Sequence, residues 1–162
     1  MTIDPESLRT ILRRWASGVT VVTSADGDEL HGMTVSSFAS VSLEPPLVLV
    51  CLERSTRTYE LVRRAGIFAI SILATDQRDI SDLFAGRIPD EGDRLSNVRY
   101  RLAPTGSPVI EGSLGFLDCT LVAHHEAGTH SVFIGQVESA EVLEQGAPLL
   151  YFDRNYRSLE GD

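Results

Sequence analysis

The first apolar residues of the chain recur every three to four positions, a spacing that predicts an amphipathic helix over residues 4–16. Asp4 has a side chain suited to capping this helix, and Pro5 suits its first helical position. Gly18 is expected to end the segment. The apolar face of the helix consists of Leu8, Ile11, Leu12 and Trp15.

Most of the later apolar residues form short runs bounded by glycine, proline or aspartate, which is typical of β-strands. The pair Asp26-Gly27 accepts positive φ angles and predicts a hairpin between the first two runs. Pro45-Pro46 is expected to separate two strands, because proline cannot donate to a central ladder. The expected strands cover residues 19–23, 30–35, 41–43, 47–52, 67–73, 114–124 and 130–142, with a turn at 126–128 and one more strand within 148–156.

Two further helices are expected in the first half of the chain. One covers residues 56–65, with Ser55 as its N-cap and Gly66 at its end. A shorter one opens at Thr75 and stops before Gly86.

Residues 87–97 are rich in charge and contain Pro89 and Gly92, so they are expected to form a surface loop. Some seven strands with two to three helices predict a mainly β (α+β) fold, a barrel with helices packed outside it. The length of 162 residues fits a single domain over residues 1–162.

The composition, with 43% hydrophobic and 23% charged residues, is that of a globular protein. The longest apolar run, residues 46–52, is far too short to span a bilayer, and no basic segment followed by an apolar one opens the chain. We therefore expect a cytoplasmic protein. The net charge of −9 argues against nucleic acid and anionic membranes as partners.

Several classes of chemistry are disfavoured by what the sequence lacks. All 14 basic residues are arginine, which excludes a phosphate-loop lysine and a Schiff-base lysine. No G-x-G-x-x-G motif is present, so a doubly wound nicotinamide enzyme is disfavoured. Cys51 and Cys119 lie in apolar runs and are expected to be free thiols. The neighbours His124 and His125 point to opposite faces of a strand, so no metal site is expected.

Three stretches are candidates for binding or catalysis. Residues 32–46 contain five serine or threonine residues before the diproline, a pattern that suits either a ligand edge or the polar face of an ordinary strand. Residues 53–58 place two arginines and three hydroxyls at a strand–helix junction, which suits a phosphate or simple capping by Ser55 with solvated arginines. His130 opens an alternating strand after a tight turn, as either a catalytic or a surface histidine.

Taken together, these stretches resemble the flavin reductase family with an FMN-binding split-barrel fold, the small components of two-component monooxygenases. The resemblance runs from residue 8 to residue 156. Its most specific marks are the sequences Gly18-Val19-Thr20-Val21-Val22-Thr23, Ser42-Leu43-Glu44-Pro45-Pro46 and Gly128-Thr129-His130 before Phe133-Ile134-Gly135. It implies a split β-barrel with two to three flanking helices.

The resemblance also implies roles for individual residues. Contacts to the isoalloxazine and ribityl chain are expected from Met33, Thr34, Val35, Ser36, Ser37 and Ser40. The path toward the flavin phosphate is expected along Cys51, Leu52, Ser55, Thr56, Arg57 and Thr58. The border of the same pocket is expected at Phe84, Ala85 and Gly86, with Tyr156 closing the site. His130 is expected beside the nicotinamide and the flavin ring, with an orienting and electrostatic role.

The implied function is hydride transfer from NADH or NADPH to FMN or FAD, with delivery of reduced flavin to a separate flavin-dependent monooxygenase. A homodimer is expected as well. Three alternatives stay open at this point. They are a non-catalytic flavin store or sensor, an oxidase of the pyridoxamine-phosphate type, against which residues 32–46 argue, and a structural interaction module.

Overall fold

The computed structural model describes residues 2–88 and 93–159. Pro89 and Gly92 of the expected surface loop lie outside the described residues. The three α-helices are α1 (Pro5–Leu12), α2 (Arg57–Ala65) and α3 (Arg78–Phe84). The first six strands are β1 (Ser17–Gly18), β2 (Thr20–Asp26), β3 (Glu29–Val35), β4 (Phe38–Leu43), β5 (Pro46–Glu53) and β6 (Ile67–Ile72). The others are β7 (Tyr100–Leu102), β8 (Pro108–Ile110), β9 (Gly115–Ala127), β10 (His130–Val142), β11 (Leu150–Phe152) and β12 (Asn155–Arg157).

Seven antiparallel strands form the main sheet, in the order β3-β2-β6-β9-β10-β5-β4. Its two edge strands, β3 and β4, follow each other in the chain and are joined only by Ser36 and Ser37. The remaining strands form two small sheets, β1-β11-β12 and β7-β8. The predicted mainly β fold with two to three helices is confirmed.

Both faces of the central strands are buried, which explains their continuous apolar runs. Val22 on β2 packs into a core with Phe68 and Phe133, while its neighbour Val21 packs into a second core with Phe84. Successive side chains of a strand point to opposite faces, so each run supplies two cores. Within the described residues, no helix has both the length and the apolar character needed to cross a membrane.

The first helix is shorter than predicted and is not packed. Asp4 caps it, as expected, by accepting hydrogen bonds from the backbone N–H groups of Glu6 and Ser7, each at 3.0 Å. The helix ends at Leu12, and Gly18 belongs to β1 and does not terminate the helix. None of its residues is buried, and Trp15 beyond its end is 77% exposed.

The second and third helices begin later than the sequence indicates. Thr56, and not Ser55, is the N-cap of α2, because its extended backbone lets its Oγ1 accept from the N–H of Tyr59 at 3.2 Å. Gly66 ends α2 in the left-handed region, as predicted. Helix α3 starts at Arg78 because Thr75 is still bonded, through its N–H, to the carbonyl of Ala147.

The segment predicted as a surface loop contains a 3-10 helix, Arg94–Asn97, whose Leu95 is buried in the second core. Strands β7 and β8 are absent from the sequence prediction, because each has only three residues. The long hairpin turns at Gly128 and Thr129. Strand β9 continues to Ala127, so the first two residues of the turn predicted at 126–128 belong to the strand. The tail forms a hairpin of two strands where one was expected.

Candidate active site

Three of the predicted segments meet where β3 and β5 end. The Ser37 hydroxyl donates to the carbonyl of Cys51 at 2.9 Å, and its oxygen also lies 3.2 Å from the Cys51 N–H, from which it accepts. Thr56 Oγ1 lies 3.7 Å from the sulfur of Met33. The structure thus brings residues 33–37, 51–52 and 55–58 together, although the sequence separates them.

The hydroxyls at the start of α2 have different surroundings. Thr58 is fully buried, and its Oγ1 lies 2.8 Å from Nδ1 of His31. Thr56 Oγ1 donates to the carbonyl of Glu53 at 2.7 Å. Arg57 Nε donates to Glu29 Oε1 at 3.1 Å, which draws its guanidinium toward the β2–β3 hairpin. Ser55 is exposed and is therefore the hydroxyl of this group that a ligand reaches most readily.

Three of the predicted side chains face the cores. Val35, Leu52 and Phe84 are at most 4% exposed, so a ligand beside them meets backbone groups and not their side chains. Ser40 is exposed on β4 opposite Val48, away from the cavities described below.

A crevice of about 180 Å³ lies between the end of β3, α3 and the C-terminal hairpin. Thr34 Oγ1 donates to the carbonyl of Ser81 at 2.7 Å along one wall. Ala85 and Tyr156 line it together with Ser36, so this crevice gathers four of the predicted residues. Gly86 follows Ala85 at a φ of 71° and turns the chain out of α3.

Tyr156 closes the crevice through a network that sequence reasoning missed. Its hydroxyl lies 2.6 Å from Asp82 Oδ1 and 2.8 Å from the Ser81 hydroxyl. Arg87 donates to the Tyr156 and Tyr151 hydroxyls at 3.3 and 3.1 Å. Burial, followed by the hydrogen bond to Asp82, raises the pKa of Tyr156. The hydrogen-bond partners of Tyr156 lie more than sixty positions earlier in the chain, so no local sequence pattern predicts these contacts.

An apolar groove of about 710 Å³ continues from this crevice. The two cavities share Ser36 and Tyr151, and the groove also contains Ser37, Phe38 and Trp15. The exposed end of the β3–β4 link therefore presents hydroxyl groups next to aromatic and aliphatic surface, which suits a planar heteroaromatic ligand.

His130 lies on another side of the same region. It is exposed at the start of β10, opposite Glu53 of β5, and its Nδ1 lies 2.9 Å from the Thr129 hydroxyl. The structure thus groups His130 with the end of β5 and the start of α2, and not with Tyr156. Among the described residues, no three His, Cys, Asp or Glu side chains are placed to hold a metal ion.

The comparison with known families decides the assignment, because the family model described as Flavin reductase like domain matches residues 12–160. The chain belongs to the flavin reductase family. The resemblance stated from the sequence and the split-barrel fold that it implies are confirmed.

Individual relatives match over nearly the whole chain. The NADH-dependent flavin reductase of Rhodococcus sp is 45% identical over 98% of this chain and 88% of its own length. The reductase subunit HsaB of a flavin-dependent monooxygenase from Rhodococcus jostii is 37% identical over 99% of this chain and 80% of its own. The NADH:FAD oxidoreductase SgcE6 of Streptomyces globisporus, solved with NAD and FAD fragments, superposes with a TM-score of 0.90. It is 32% identical and covers 100% of this chain and 98% of its own. These matches confirm the predicted flavin reductase activity.

Proposed function

We propose that this flavin reductase transfers hydride from NADH to FAD or FMN and supplies the reduced flavin to a separate monooxygenase. The observation that carries the proposal is the match, over 98% of the chain, to a reductase that uses NADH. Two choices remain within this proposal: whether the flavin is FAD or FMN, and whether the hydride donor is NADH or NADPH.

The flavin ring is proposed to lie along Met33, Thr34, Val35, Ser36 and Ser37, with Ser40 at the periphery. Support comes from Ser36, which borders both the crevice and the apolar groove and is exposed. Backbone amides and hydroxyls at this link can hydrogen-bond the polar edge of the ring, while the groove receives its apolar edge. When bound, the flavin supplies the hydride-accepting chemistry, and the chain supplies orientation and exclusion of water.

The flavin phosphate is proposed to lie where β5 passes into α2, along Cys51, Leu52 and Ser55 to Thr58. A helix start carries partial positive charge and N–H groups without intrahelical acceptors, which suits an anion. The exposed Ser55 hydroxyl is available to donate there, because Thr56 and not Ser55 caps the helix.

His130 is proposed to orient the nicotinamide. The residue is exposed, and the Thr129 hydroxyl lies at Nδ1, so Nε2 is the ring nitrogen left for a ligand. Phe84, Ala85, Gly86 and Tyr156 are proposed to border the flavin on the crevice side, with Tyr156 held by Asp82.

A homodimer forms part of the proposal. The apolar side chains of α1 and of the turn after it are uncovered in the single chain, with Ile11, Leu12 and Trp15 each at least 59% exposed. Contiguous exposed apolar surface marks an interaction site, and a second copy would cover it by two-fold symmetry. Because this face borders the apolar groove, the partner would also wall the flavin site.

A single flavin reductase-like domain over residues 1–162 and a cytoplasmic location complete the proposal. The family match over residues 12–160 supports the first. The cytoplasmic location is proposed because the enzyme needs NADH from the nicotinamide pool of the cell.

The deciding experiment mixes the purified chain anaerobically with NADH and free FMN, FAD or riboflavin and follows NADH absorbance. We expect oxidation of NADH that depends on flavin, and reduced flavin that crosses a dialysis membrane. Flavin binding without NADH oxidation would identify a store or sensor instead. Reduced flavin that stays bound through many turnovers would contradict delivery to a separate enzyme.

A further inference from the structure

Arg87 lies where α3 ends, and its side chain contacts both tyrosines that line the crevice. The guanidinium donates to the Tyr151 hydroxyl at 3.1 Å and to the Tyr156 hydroxyl at 3.3 Å. Its central carbon lies 5.5 and 5.7 Å from the centres of the two rings, which is within the range of a cation–π contact. One side chain of the α3 end therefore holds both tyrosines of the C-terminal hairpin.

The backbone at the end of α3 determines where the Arg87 side chain starts. The N–H of Gly86 donates to the carbonyl of Leu83 at 3.1 Å, and the N–H of Arg87 donates to the carbonyl of Asp82 at 2.9 Å. These two bonds, with Gly86 at a φ of 71°, form the Schellman arrangement that ends many helices. The chain is thereby turned so that Arg87 returns to Asp82, one turn back on the helix.

Asp82 fixes the guanidinium in this position. Its Oδ1 accepts from Arg87 at 2.9 Å and from the Tyr156 hydroxyl at 2.6 Å. An exposed ion pair contributes little when it is isolated, but this one belongs to a network with two hydroxyls and two rings. The planar fork of arginine serves three acceptors at once, which the single ammonium of lysine does not match.

The two tyrosines form the wall of the proposed flavin site on the hairpin side. Their rings pack edge to face, with centres 5.6 Å apart and an angle of 64° between the ring planes. Tyr151 lines both the crevice and the apolar groove, and Ser36 of the β3–β4 link does the same. The flavin ring is proposed to lie along that link, so the position of the tyrosine pair sets the space beside it.

We propose that Arg87 is a positioning residue for flavin reduction. It holds Tyr151 and Tyr156 so that the hairpin wall keeps the flavin ring in the orientation that hydride transfer requires. The inference rests on the proposed function, and it gives Arg87 no contact of its own with flavin or nicotinamide. Because the rate of transfer depends steeply on alignment, loosening this wall should affect the rate more than the binding of flavin.

The first test compares kcat for NADH oxidation with FMN, and the dissociation constant of FMN, in the wild type, Arg87→Met and Arg87→Lys. We expect kcat to fall by about tenfold in Arg87→Met, with a much smaller change in the dissociation constant. Arg87→Lys keeps the charge but not the fork, so it should not restore the rate. Full activity in Arg87→Lys would overturn the role given to the fork.

The variant Tyr151→Phe tests the same inference without removing the arginine. It keeps the ring and loses only the hydroxyl that accepts from Arg87, so kcat should fall in the same direction. If Arg87 acts through the tyrosines, the double variant Arg87→Met with Tyr151→Phe should be no slower than Arg87→Met alone. Losses that multiply in the double variant would contradict the inference.

The visible circular dichroism of bound FMN reports the surroundings of the ring without any turnover. We expect it to change in Arg87→Met and to stay the same in Arg101→Met. Arg101 is a matched control on β7, outside the crevice, because it also bonds a carboxylate, that of Glu141 at 2.6 Å, and lies 5.2 Å from the ring centre of Phe116. An Arg87→Met protein that is less stable but keeps the wild-type kcat and FMN spectrum would overturn the inference.

The two readouts separate this inference from the proposed function. A wild type that oxidises no NADH would contradict the proposed function, whereas an altered FMN spectrum in Arg87→Met would still support the positioning of the ring. Conversely, flavin reduction by the wild type with an Arg87→Met protein that behaves like Arg101→Met would leave the proposed function standing and remove the role of Arg87.

Discussion

The hydroxyl of Tyr156 lies 2.6 Å from the carboxylate of Asp82, a residue 74 positions earlier in the chain. The contact joins the β11–β12 hairpin to α3, and it fixes the wall of the crevice that contains Thr34 and Ser36. An ordinary phenol, with a pKa of about 10, is protonated at neutral pH, so that of Tyr156 donates to the carboxylate. Burial and Asp82 raise the pKa of Tyr156 above that ordinary value.

Tyr156→Phe should therefore destabilise the fold by about 1 kcal/mol at neutral pH, the typical net value of one hydrogen bond. A group whose pKa is raised by folding stabilises the protein below its unfolded value, about 10 for tyrosine, and loses that contribution as the pH rises through the folded value. Urea unfolding at neutral and strongly alkaline pH should show that the difference from the wild type disappears at the higher pH. Tyr100→Phe serves as control, because the Tyr100 hydroxyl forms no hydrogen bond within the described residues. A difference that persists unchanged at alkaline pH would contradict this account.

His130→Ala should lower NADH-dependent flavin reduction far more than it lowers flavin affinity, because the imidazole is proposed to meet the nicotinamide. We expect a loss of about 10²-fold in kcat, within the range of a positioned acid–base or orienting group. Steady-state rates and flavin titration on the same protein measure both effects. His125→Ala, at an exposed position on β9 opposite Val132, is the control. Equal losses in rate and affinity would mean that His130 is structural.

Ser55→Ala should weaken FMN by about 1–3 kcal/mol and leave riboflavin nearly unchanged, since only FMN carries the phosphate. Thr58 is unsuitable for this test, because its buried hydroxyl is already engaged with His31. Fluorescence titration with both flavins gives the comparison, and Ser139→Ala on β10 controls for the loss of a hydroxyl. Equal weakening of FMN and riboflavin would place the phosphate elsewhere.

Trp15 is the only tryptophan of the chain, and its emission reports on the face of α1. In a homodimer it should be shielded from acrylamide and emit at shorter wavelength, and dilution should reverse both effects as the dimer dissociates. Light scattering should give twice the chain mass of 17.7 kDa. Leu12→Ser should shift the equilibrium toward the monomer, whereas Leu102→Ser, at an exposed leucine on β7, should not. A monomeric mass at micromolar concentration would contradict the dimer.

The two thiols should differ in reactivity. Burial, with the neighbouring Asp118 and Glu138 carboxylates, raises the pKa of Cys119 to about 12, and the residue is fully buried. Cys51 is half-buried. A thiol reagent at mildly alkaline pH should therefore modify one cysteine per native chain and two after unfolding. Bound flavin should slow the modification of Cys51, and rapid reaction of both native thiols would contradict the burial of Cys119.

Local signals in the sequence were sufficient for the elements that depend on near neighbours. Asp4 caps α1 and Gly66 ends α2 as predicted, because such bonds join residues within about four positions. The short apolar run at residues 19–23 predicts a strand for the same reason. The three stretches in order along the chain also sufficed to identify the flavin reductase family.

The tertiary structure decided what depends on distant residues. Whether Ser55 or Thr56 caps α2 is set by how β5 enters the helix. The bond between Tyr156 and Asp82 exists only because the strand order brings the tail beside α3. The three-residue strands β7 and β8 have too little pattern of their own and are held by Ser71 and the cores around them. Backbone hydrogen bonds of turns and caps form within one segment, whereas cavities and long-range side-chain bonds require the register of the whole sheet, which no single segment encodes.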